Sequence, residues 1–271
     1  MLRRKESGAD LNGAFVQCVN CRKTLFRREL VENLGVCTAC THHHRMSASD
    51  RIEMILDEGT FVEHDEDLVS LDPLQFPEYK EKYEQARKKT GMNDSILCGV
   101  GEINSIEVSI AVAEFSFMGG SMGSVAGEKI TRTLERATER KIPAIIFCAS
   151  GGARMQEGLL SLMQMAKTTA AVQRCQAAGV PYIAVFTDPT MAGVLASFAS
   201  VADVIIAEPK ALVGFAGARV SKQAQVVKAP DDFQTAEFVF KSGMLDRIVP
   251  RRELKATLGS LVKMLGAGAK N

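Results

Sequence analysis

The stretch AIIFCASGGARM, residues 144–155, decides the fold class of this chain. Its apolar beginning predicts a buried strand, and Gly151 and Gly152 then turn the chain into a predicted helix over 156–178. The same order recurs upstream, where FMGGSMGS (residues 117–124) leads into a predicted helix over 124–140. Repeated strand, glycine turn and helix units predict an α/β domain.

The remaining apolar runs extend this pattern along the chain. Strands are predicted over 96–103, 107–115, 144–149, 182–187, 203–207 and 211–214. Further helices are predicted over 193–201, 218–226, 234–241 and 251–265. Upstream, the sequence predicts a short helix that begins at Ser47 and ends before Gly59, then an acidic loop over 62–76, and a charged helix from Pro77 that Gly91 closes.

Length and charge exclude several classes of protein. The 271 residues are 46% hydrophobic and 24% charged, which suits a large buried core. A net charge of +1 gives no field that favours nucleic acid or membrane partners. No stretch approaches the roughly 18 apolar residues of a membrane span, and no apolar run follows the basic N-terminus. We therefore expect a cytoplasmic protein without a membrane span.

Two cysteine pairs form a metal-binding pattern. Cys18 and Cys21 are separated by fifteen residues from a second pair, Cys37 and Cys40, which matches the four-cysteine zinc pattern. Two such turns complete the tetrahedron that Zn²⁺ accepts, with no open coordination position. The sequence predicts a structural zinc ribbon over 14–45. We interpret the histidines at 42–44 as a solvated or partner-facing run, although one of them could replace a cysteine.

The segment between the cysteine pairs allows two interpretations. Residues 23–30 predict a short hairpin that carries Lys23, Arg27 and Arg28. These basic residues either contact the phosphates of RNA, DNA or a nucleotide-like substrate, or they form a solvated face. Only Phe15 and Phe26 are nearby aromatic residues, which offers little surface for stacking single-stranded bases.

Three glycine turns precede predicted helices in the larger part of the chain, at 117–124, 149–154 and 187–193. A helix N-terminus presents free N–H groups and the positive end of a dipole, so such turns hold phosphates or oxyanions. Glycine also makes tight turns in any α/β fold. The presence of three such turns in one domain favours a role in anion binding or catalysis over a purely structural one.

The sequence does not support several well-known catalytic and nucleotide-binding motifs. Gly119 to Gly123 fits G-x-S-x-G, but a hydrolase of that type needs a histidine after Ser121, and the last histidine is His64. There is no P-loop and no dinucleotide-binding G-x-G-x-x-G. We expect residues 162–165 (LMQM) to fill the core. Three further cysteines, Cys98, Cys148 and Cys175, are expected to be buried.

The motifs together resemble one family. The four-cysteine ribbon followed by HHHRMS, then FMGGSMGS, SGGARMQE (150–157), TDPT (187–190) and IAEPKALVGFAG (206–217) look like the carboxyltransferase β subunits of bacterial acetyl-CoA carboxylases. The resemblance runs from about residue 15 to 250 and preserves the order and spacing of the motifs.

The resemblance implies a fold and a reaction. A crotonase-type domain of ββα units wound into a superhelix is expected over 46–271, behind the zinc ribbon. The family implies an α2β2 heterotetramer with a carboxyltransferase α subunit. Its reaction moves the carboxyl group from carboxybiotin, held on a biotin carboxyl carrier protein, to acetyl-CoA, giving malonyl-CoA for fatty acid biosynthesis. Biotin carboxylase uses ATP upstream.

The resemblance also implies roles for site residues. Ala192 and Gly193 occupy the position where the family places a pair of backbone N–H oxyanion donors. Substrate-binding positions carried over from the family are Gly119, Gly120, Gly151, Gly152 and Arg154. The four glycines would shape the pocket. Arg154 would contact CoA phosphate or anchor the loop, and a structural salt bridge is the alternative.

The sequence departs from the family pattern at three places. Ala192 replaces the first glycine of the usual Gly-Gly pair, Ala202 replaces the glycine of a usual Gly-Asp pair, and GARVSKQ (217–223) replaces GPRVIEQ. A methyl group at Ala192 enters a pocket built for close approach. A diverged paralogue acting on another acyl thioester, or as a biotin-dependent decarboxylase subunit, is therefore one alternative. A zinc-ribbon protein that binds nucleic acid is the other.

Overall fold

The computed structural model describes residues 11–216, 230 and 232–266, and the chain divides into two units between Met46 and Ser47. The first unit contains α1 (Leu11–Ala14), β1 (Phe15–Gln17), β2 (Thr24–Phe26) and α2 (Arg27–Glu32). Its small core is formed by cysteines together with Val16, Leu25 and Leu30.

The hairpin of the first unit differs from the prediction over 23–30. β2 pairs with β1, which lies before the first cysteine pair, and residues 27–32 form a helix. The chain reverses at Cys18, whose N–H donates to the Lys23 carbonyl at 2.9 Å and whose carbonyl accepts from the Arg22 N–H at 2.9 Å. The turn that carries Cys18 and Cys21 therefore joins the two strands instead of preceding them.

The second unit alternates strands and helices. Its helices are α3 (Ala48–Ile55), α4 (Tyr79–Thr90), α5 (Ser124–Arg140), α6 (Gly158–Ala177), α7 (Ala192–Leu195), α8 (Ala236–Lys241) and α9 (Leu254–Gly266). Its strands are β3 (Val62–Glu63), β4 (Ile96–Ile103), β5 (Ile106–Ala113), β6 (Ala144–Ser150), β7 (Tyr182–Met191), β8 (Val204–Ala207), β9 (Val213–Gly214) and β10 (Arg247–Ile248). Among the described residues, no helix is long and apolar enough to cross a membrane.

The strands of the second unit form one sheet in the order β10-β8-β7-β6-β5-β4-β3, and β9 pairs with the end of β7. The four strands β5 to β8 run parallel, and β3 and β4 are antiparallel at one edge. Successive side chains of a strand face opposite sides of the sheet, which gives two cores. Ile145 and Phe147 pack in the core on the side of α3 and α9, and Ile146 and Cys148 in the core on the side of α5 and α6.

Most predicted elements are confirmed, and α5 has the predicted bounds. Strands β3 and β10 were not predicted, because a two-residue strand has no period of its own. The predicted helix over 193–201 divides into α7 and a 3₁₀ turn over Phe198–Val201. The helix predicted over 218–226 lies outside the described residues.

Strand β7 extends to Met191, four residues beyond the predicted end at 187. The hydroxyls of Thr187 and Thr190 both donate to the Cys148 carbonyl, at 2.7 and 3.2 Å, and the Thr190 N–H donates to the Leu212 carbonyl. These tertiary partners keep the strand paired through a Pro-containing segment that reads as a turn in the sequence.

A buried ionic cluster ties three elements of the second unit together. Glu208, directly after β8, accepts from Arg51 of α3 at 2.8 Å and from Arg251 at 2.8 and 2.7 Å. All three side chains are at most 5% exposed. Burial by itself raises the pKa of Glu208, but the two guanidinium groups outweigh this and lower the pKa to about 2.

We predict that Glu208→Gln lowers the free energy of unfolding of the second unit by about 3–5 kcal/mol at neutral pH, because it leaves buried guanidinium charge uncompensated. The folded pKa lies below the ordinary value of 4.5, so the ionised carboxylate stabilises the fold above that pH and less as pH falls toward about 2. Urea unfolding at several pH values should show the difference from wild type shrinking over that range.

The control is Asp57→Asn, which breaks the more exposed ion pair with Lys255. It should cost about 1 kcal/mol or less. A Glu208→Gln difference that stays constant down to pH 2 would contradict the assigned role of the ionised carboxylate.

Candidate active site and metal centre

The four predicted ligands of the first unit lie together. The Sγ atoms of Cys18, Cys21, Cys37 and Cys40 are all within 4.8 Å of one another, and the cluster includes none of the histidines at 42–44. The Sγ atoms of Cys18 and Cys40 are 3.8 Å apart, and those of Cys21 and Cys37 are 3.9 Å apart. A ZnS4 tetrahedron with bonds of about 2.3 Å has edges of about 3.8 Å, so the residues fit this ion.

The three glycine turns of the second unit lie at one edge of the sheet. They follow the carboxyl ends of β5, β6 and β7, which are adjacent and parallel. In open α/β sheets this edge is where ligands bind. The sheet therefore brings together three segments that are separated by about thirty to forty residues in the sequence.

The first two turns are joined by backbone hydrogen bonds. The Gly151 N–H donates to the Gly119 carbonyl at 2.9 Å, the Met122 N–H to the Gly152 carbonyl at 2.8 Å, and the Arg154 N–H to the Met122 carbonyl at 2.9 Å. These three bonds fix the register of one turn against the other.

Two of the predicted glycines are required where the turns meet, Gly120 between the first and second turns and Gly152 between the second and third. A Cβ on Gly120 would lie 2.0 Å from the Ala149 carbonyl oxygen, and its φ is +61°. A Cβ on Gly152 would lie 2.8 Å from the Cβ of Ala192, and its φ is +124°. No other residue fits either position without a shift of the backbone.

Ala192, at the start of α7, has left-handed backbone geometry. Its φ is +53°, which is costly for an L residue with a Cβ. Its methyl group lies beside Gly152, so the third turn contacts the second. Gly193 follows at the second position of α7, where N–H groups precede the intrahelical ladder. Ala202, by contrast, has φ −69°, which any residue adopts.

Arg154 is fully buried and its guanidinium is saturated. It donates to both Asp94 oxygens at 2.8 and 2.9 Å, to the Tyr79 hydroxyl at 3.2 Å, and to the Ser121 carbonyl at 2.7 Å and hydroxyl at 3.1 Å. It also stacks over the Phe117 ring. Of the roles that the sequence left open, loop anchoring through a salt bridge fits this geometry. A contact with CoA phosphate does not, because no donor is left for it.

Sequence reasoning missed the partners of Arg154. Asp94, Tyr79 and Glu157 come from three different segments, and no spacing in the sequence connects them. The only signal was the position of Glu157 at the end of the quoted motif SGGARMQE.

An exposed apolar face is formed by Met155, in the 3₁₀ turn directly before α6, and by Leu159, Leu162 and Met163 of α6. These side chains are between 51% and 80% exposed. The expectation that residues 162–165 fill the core is therefore wrong for Leu162 and Met163. Their spacing is helical, but it is Gln164 that faces the core, packed against Gly127 of α5. The face begins one residue after Arg154, so it adjoins the glycine turns.

Comparison with known families agrees with both units. Residues 42–249 match the carboxyl transferase domain family, and residues 15–40 match the acetyl-CoA carboxylase zinc finger domain family. The acetyl-coenzyme A carboxylase carboxyl transferase subunit beta of Fusobacterium nucleatum subsp. nucleatum is 54% identical over 242 residues, 89% of this chain and 80% of the relative. The protein of that name from Desulforamulus reducens is 51% identical over 254 residues, 94% and 88% respectively.

Solved structures share the fold. Transcarboxylase 12S, crystallised with methylmalonyl-coenzyme A and methylmalonic acid, superimposes with a TM-score of 0.69 at 27% identity over 80% of this chain. The chain spans 40% of the length of that protein. A Pseudomonas malonate decarboxylase hetero-dimer superimposes with a TM-score of 0.64 over 81% of this chain and 86% of its own. At 23% identity that second likeness shows the fold alone.

The fold is thus the crotonase-like carboxyl transferase fold with an N-terminal zinc ribbon, as expected from the sequence. The family matches cover both units, and sequence identity exceeds half in two relatives of which the chain covers 80% and 88%. The chain belongs to the family of acetyl-CoA carboxylase carboxyl transferase β subunits and is a subunit of a transferase.

Proposed function

We propose that the second unit transfers the carboxyl group from carboxybiotin to the methyl carbon of acetyl-CoA, forming malonyl-CoA. The observation that carries this proposal is the meeting of three glycine turns at one sheet edge, in a chain that is about half identical to carboxyl transferase β subunits. The malonyl-CoA would serve fatty acid biosynthesis in the cytoplasm.

The reaction requires donors for negative charge. Removal of a proton next to a thioester places charge on the enolate oxygen, and N–H groups fixed before the reaction stabilise that charge. In this chain the N–H groups of Ala192 and Gly193 would serve as the donors. Gly119, Gly120, Gly151 and Gly152 would allow the acyl group to approach the backbone closely.

The described site residues include no histidine, and none of the four in the chain follows His64. Carboxybiotin would supply the CO2 and, once decarboxylated, the base that accepts the methyl proton. The chain would then only bind, orient and stabilise charge. This division fits a site built from backbone groups and buried, saturated side chains such as Arg154.

The first unit would hold one structural Zn²⁺ through Cys18, Cys21, Cys37 and Cys40. Four thiolates fill its coordination sphere, so the ion takes no part in the transfer. The Asn20 side-chain amide donates to the Cys40 sulfur at 3.4 Å, an outer contact of the kind that orients ligands.

The exposed face of α6 supports the need for a partner. Four large exposed apolar side chains, three on α6 and one in the turn before it, are unusual together on the surface of a monomer. We propose that the carboxyltransferase α subunit packs over these side chains in an α2β2 assembly. The curated relatives are themselves named as subunits. A biotin carboxyl carrier protein would bring the biotin, and a biotin carboxylase would load it using ATP.

The methyl group of Ala192 supports a second candidate, transfer to another acyl thioester. It lies at the turn where the family has glycine, beside Gly152. The comparisons do not favour a decarboxylase subunit or a nucleic-acid-binding protein over the main proposal.

The first prediction concerns the metal. Protein purified without chelator should contain one zinc per chain, and Cys37→Ser should lose it and unfold mainly residues 15–45. The reason is that metal binding supplies the folding energy of so small a unit. Metal analysis combined with hydrogen exchange would show both effects. Cys175→Ser, at a buried thiol of the second unit, should keep its zinc, and zinc-free wild-type protein would refute the assignment.

The second prediction concerns the partner. The chain alone should form no malonyl-CoA from carboxybiotin and acetyl-CoA, and adding an α-type subunit should restore activity. Met163→Asp should weaken assembly at least tenfold, because it places a charge in an apolar contact. Met264→Asp, the same change at an exposed methionine on α9, should not. Co-purification and an assay of each mixture test this, and efficient transfer by the isolated chain would overturn it.

The third prediction concerns Ala192. Ala192→Gly should stabilise the second unit by about 1 kcal/mol, since glycine adopts φ +53° without the cost that Ala bears. It should also raise or broaden transfer among acyl-CoAs, by less than the roughly 100-fold or greater effect of deleting an oxyanion donor. Thermal unfolding and steady-state kinetics on the assembled complex measure the two effects.

The matched control is Ala202→Gly. Its backbone lies in the ordinary region, so glycine should destabilise there by about 0.5–1 kcal/mol. Unchanged kinetics of Ala192→Gly across several acyl-CoAs would show that residue 192 is a turn position without influence on substrate.

A further inference from the structure

The carboxylate of Glu157 is buried at the point where the second glycine turn enters α6. Its side chain is 1% exposed. One carboxylate oxygen, Oε2, accepts from the backbone N–H of Ser124 at 2.6 Å. Ser124 is the first residue of α5 and directly follows the first glycine turn. The Glu157 side chain, just after the second glycine turn, therefore fixes the backbone where the first glycine turn ends.

The second carboxylate oxygen, Oε1, connects to two further segments. It accepts from the Tyr79 hydroxyl of α4 at 2.7 Å and from the Ser70 hydroxyl, in the loop after β3, at 3.1 Å. Arg154 Nη1 lies 3.5 Å away. Both oxygens are thus fully engaged, and the carboxylate cannot move without breaking several bonds.

The packing around Glu157 also restricts the first turn. A Cβ on Gly123 would lie 2.5 Å from Oε1 and 2.9 Å from Oε2. The carboxylate therefore sits against the Cα of Gly123, the residue before Ser124. The last residues of the first glycine turn are set by contact with Glu157 as well as by the backbone bonds between the turns.

The groups around Glu157 together favour its ionised form. Asp94 and Glu157 carry two negative charges against the single positive charge of Arg154, all buried. The positive end of α5, a helix of seventeen residues, compensates the excess. Burial by itself raises the pKa of Glu157, but the Ser124 N–H, the Tyr79 hydroxyl and Arg154 together hold that pKa below its ordinary value.

We propose that Glu157 is a positioning residue for carboxyl transfer, which fixes the first glycine turn and the N-terminus of α5 against the second turn. It reaches the substrate only through these backbone segments. The inference rests on the proposed function, because the two turns matter to catalysis only if they form the acyl pocket. It predicts a loss in turnover that exceeds the loss in substrate binding, since displacing a fixed group by a fraction of an ångström affects the reacting geometry most.

The experiment compares Glu157→Gln with wild type in the complex assembled with an α-type subunit, using acetyl-CoA and carboxybiotin. We expect kcat to fall about 10- to 100-fold while KM for acetyl-CoA changes less than about threefold. Hydrogen exchange of the segment 118–126 in the chain alone should become faster in Glu157→Gln, whatever the activity.

The matched control is Asp65→Asn. Asp65 forms two ion pairs, with Arg132 and Arg136, and so holds the middle of the same helix α5. Its kcat should stay within about twofold of wild type. If Asp65→Asn lowers kcat as much as Glu157→Gln, or if Glu157→Gln leaves kcat within twofold of wild type, the positioning role is wrong.

Two other outcomes need a separate interpretation: a variant that does not assemble and a wild-type complex that is inactive. If Glu157→Gln does not assemble, Tyr79→Phe replaces it, because this change keeps the ring and removes one donor to Glu157, together with one acceptor of Arg154. A fall of kcat of about threefold or more with unchanged KM supports the role, and an unchanged kcat overturns it. An inactive wild-type complex would count against the proposed function, and the exchange of residues 118–126 would still show whether Glu157 holds the first glycine turn in place.

Discussion

Three backbone hydrogen bonds, between Gly119 and Gly151, Met122 and Gly152, and Met122 and Arg154, hold the first two glycine turns of the second unit together. Gly120 has no Cβ, which lets the first two turns approach closely, and the missing Cβ of Gly152 leaves room for Ala192 of the third turn. The sheet positions the turns within reach, since β5 and β6 are adjacent and parallel. The backbone donors proposed for the reaction depend on this contact, because a turn that moves carries its N–H groups with it.

Buried charges reinforce the contact. Arg154, Asp94 and Glu157 form one fully buried ionic cluster beside the turns, and Arg51, Glu208 and Arg251 form another at the end of β8. Burying ions costs free energy that only close pairing and full hydrogen bonding offset. Such clusters tolerate few alternative arrangements. We interpret the first cluster as fixing the positions of the glycine turns. The second cluster joins α3, the end of β8 and the segment directly before α9.

The two units depend on different forces. The second unit buries two apolar cores, one on each face of its sheet. Among the described residues of the first unit, three aliphatic side chains pack with the cysteines. So small a core stabilises little, which explains why four thiolates converge there at the edge length of a ZnS4 tetrahedron. The division of the chain into a metal-dependent and a core-dependent unit follows from this difference.

The sequence alone determined the features that local physics controls. The cysteine spacing predicted the metal cluster, apolar periodicity predicted the strands and long helices, and glycines marked the turns that close the sheet edge. The motif order was enough to identify the family. These features can be predicted from the sequence because each depends on residues that are close together in the chain.

Only the tertiary structure decided what depends on contacts between distant segments. It extended β7 to Met191 through hydroxyl bonds to Cys148, and it paired β2 with β1 across the first cysteine turn. It showed that Arg154 is saturated by Asp94, Tyr79 and Ser121, and that Leu162 and Met163 face outward. The left-handed geometry of Ala192 also follows from its neighbours. In each case the side chain permits several roles, and the partner that selects one comes from elsewhere in the sequence.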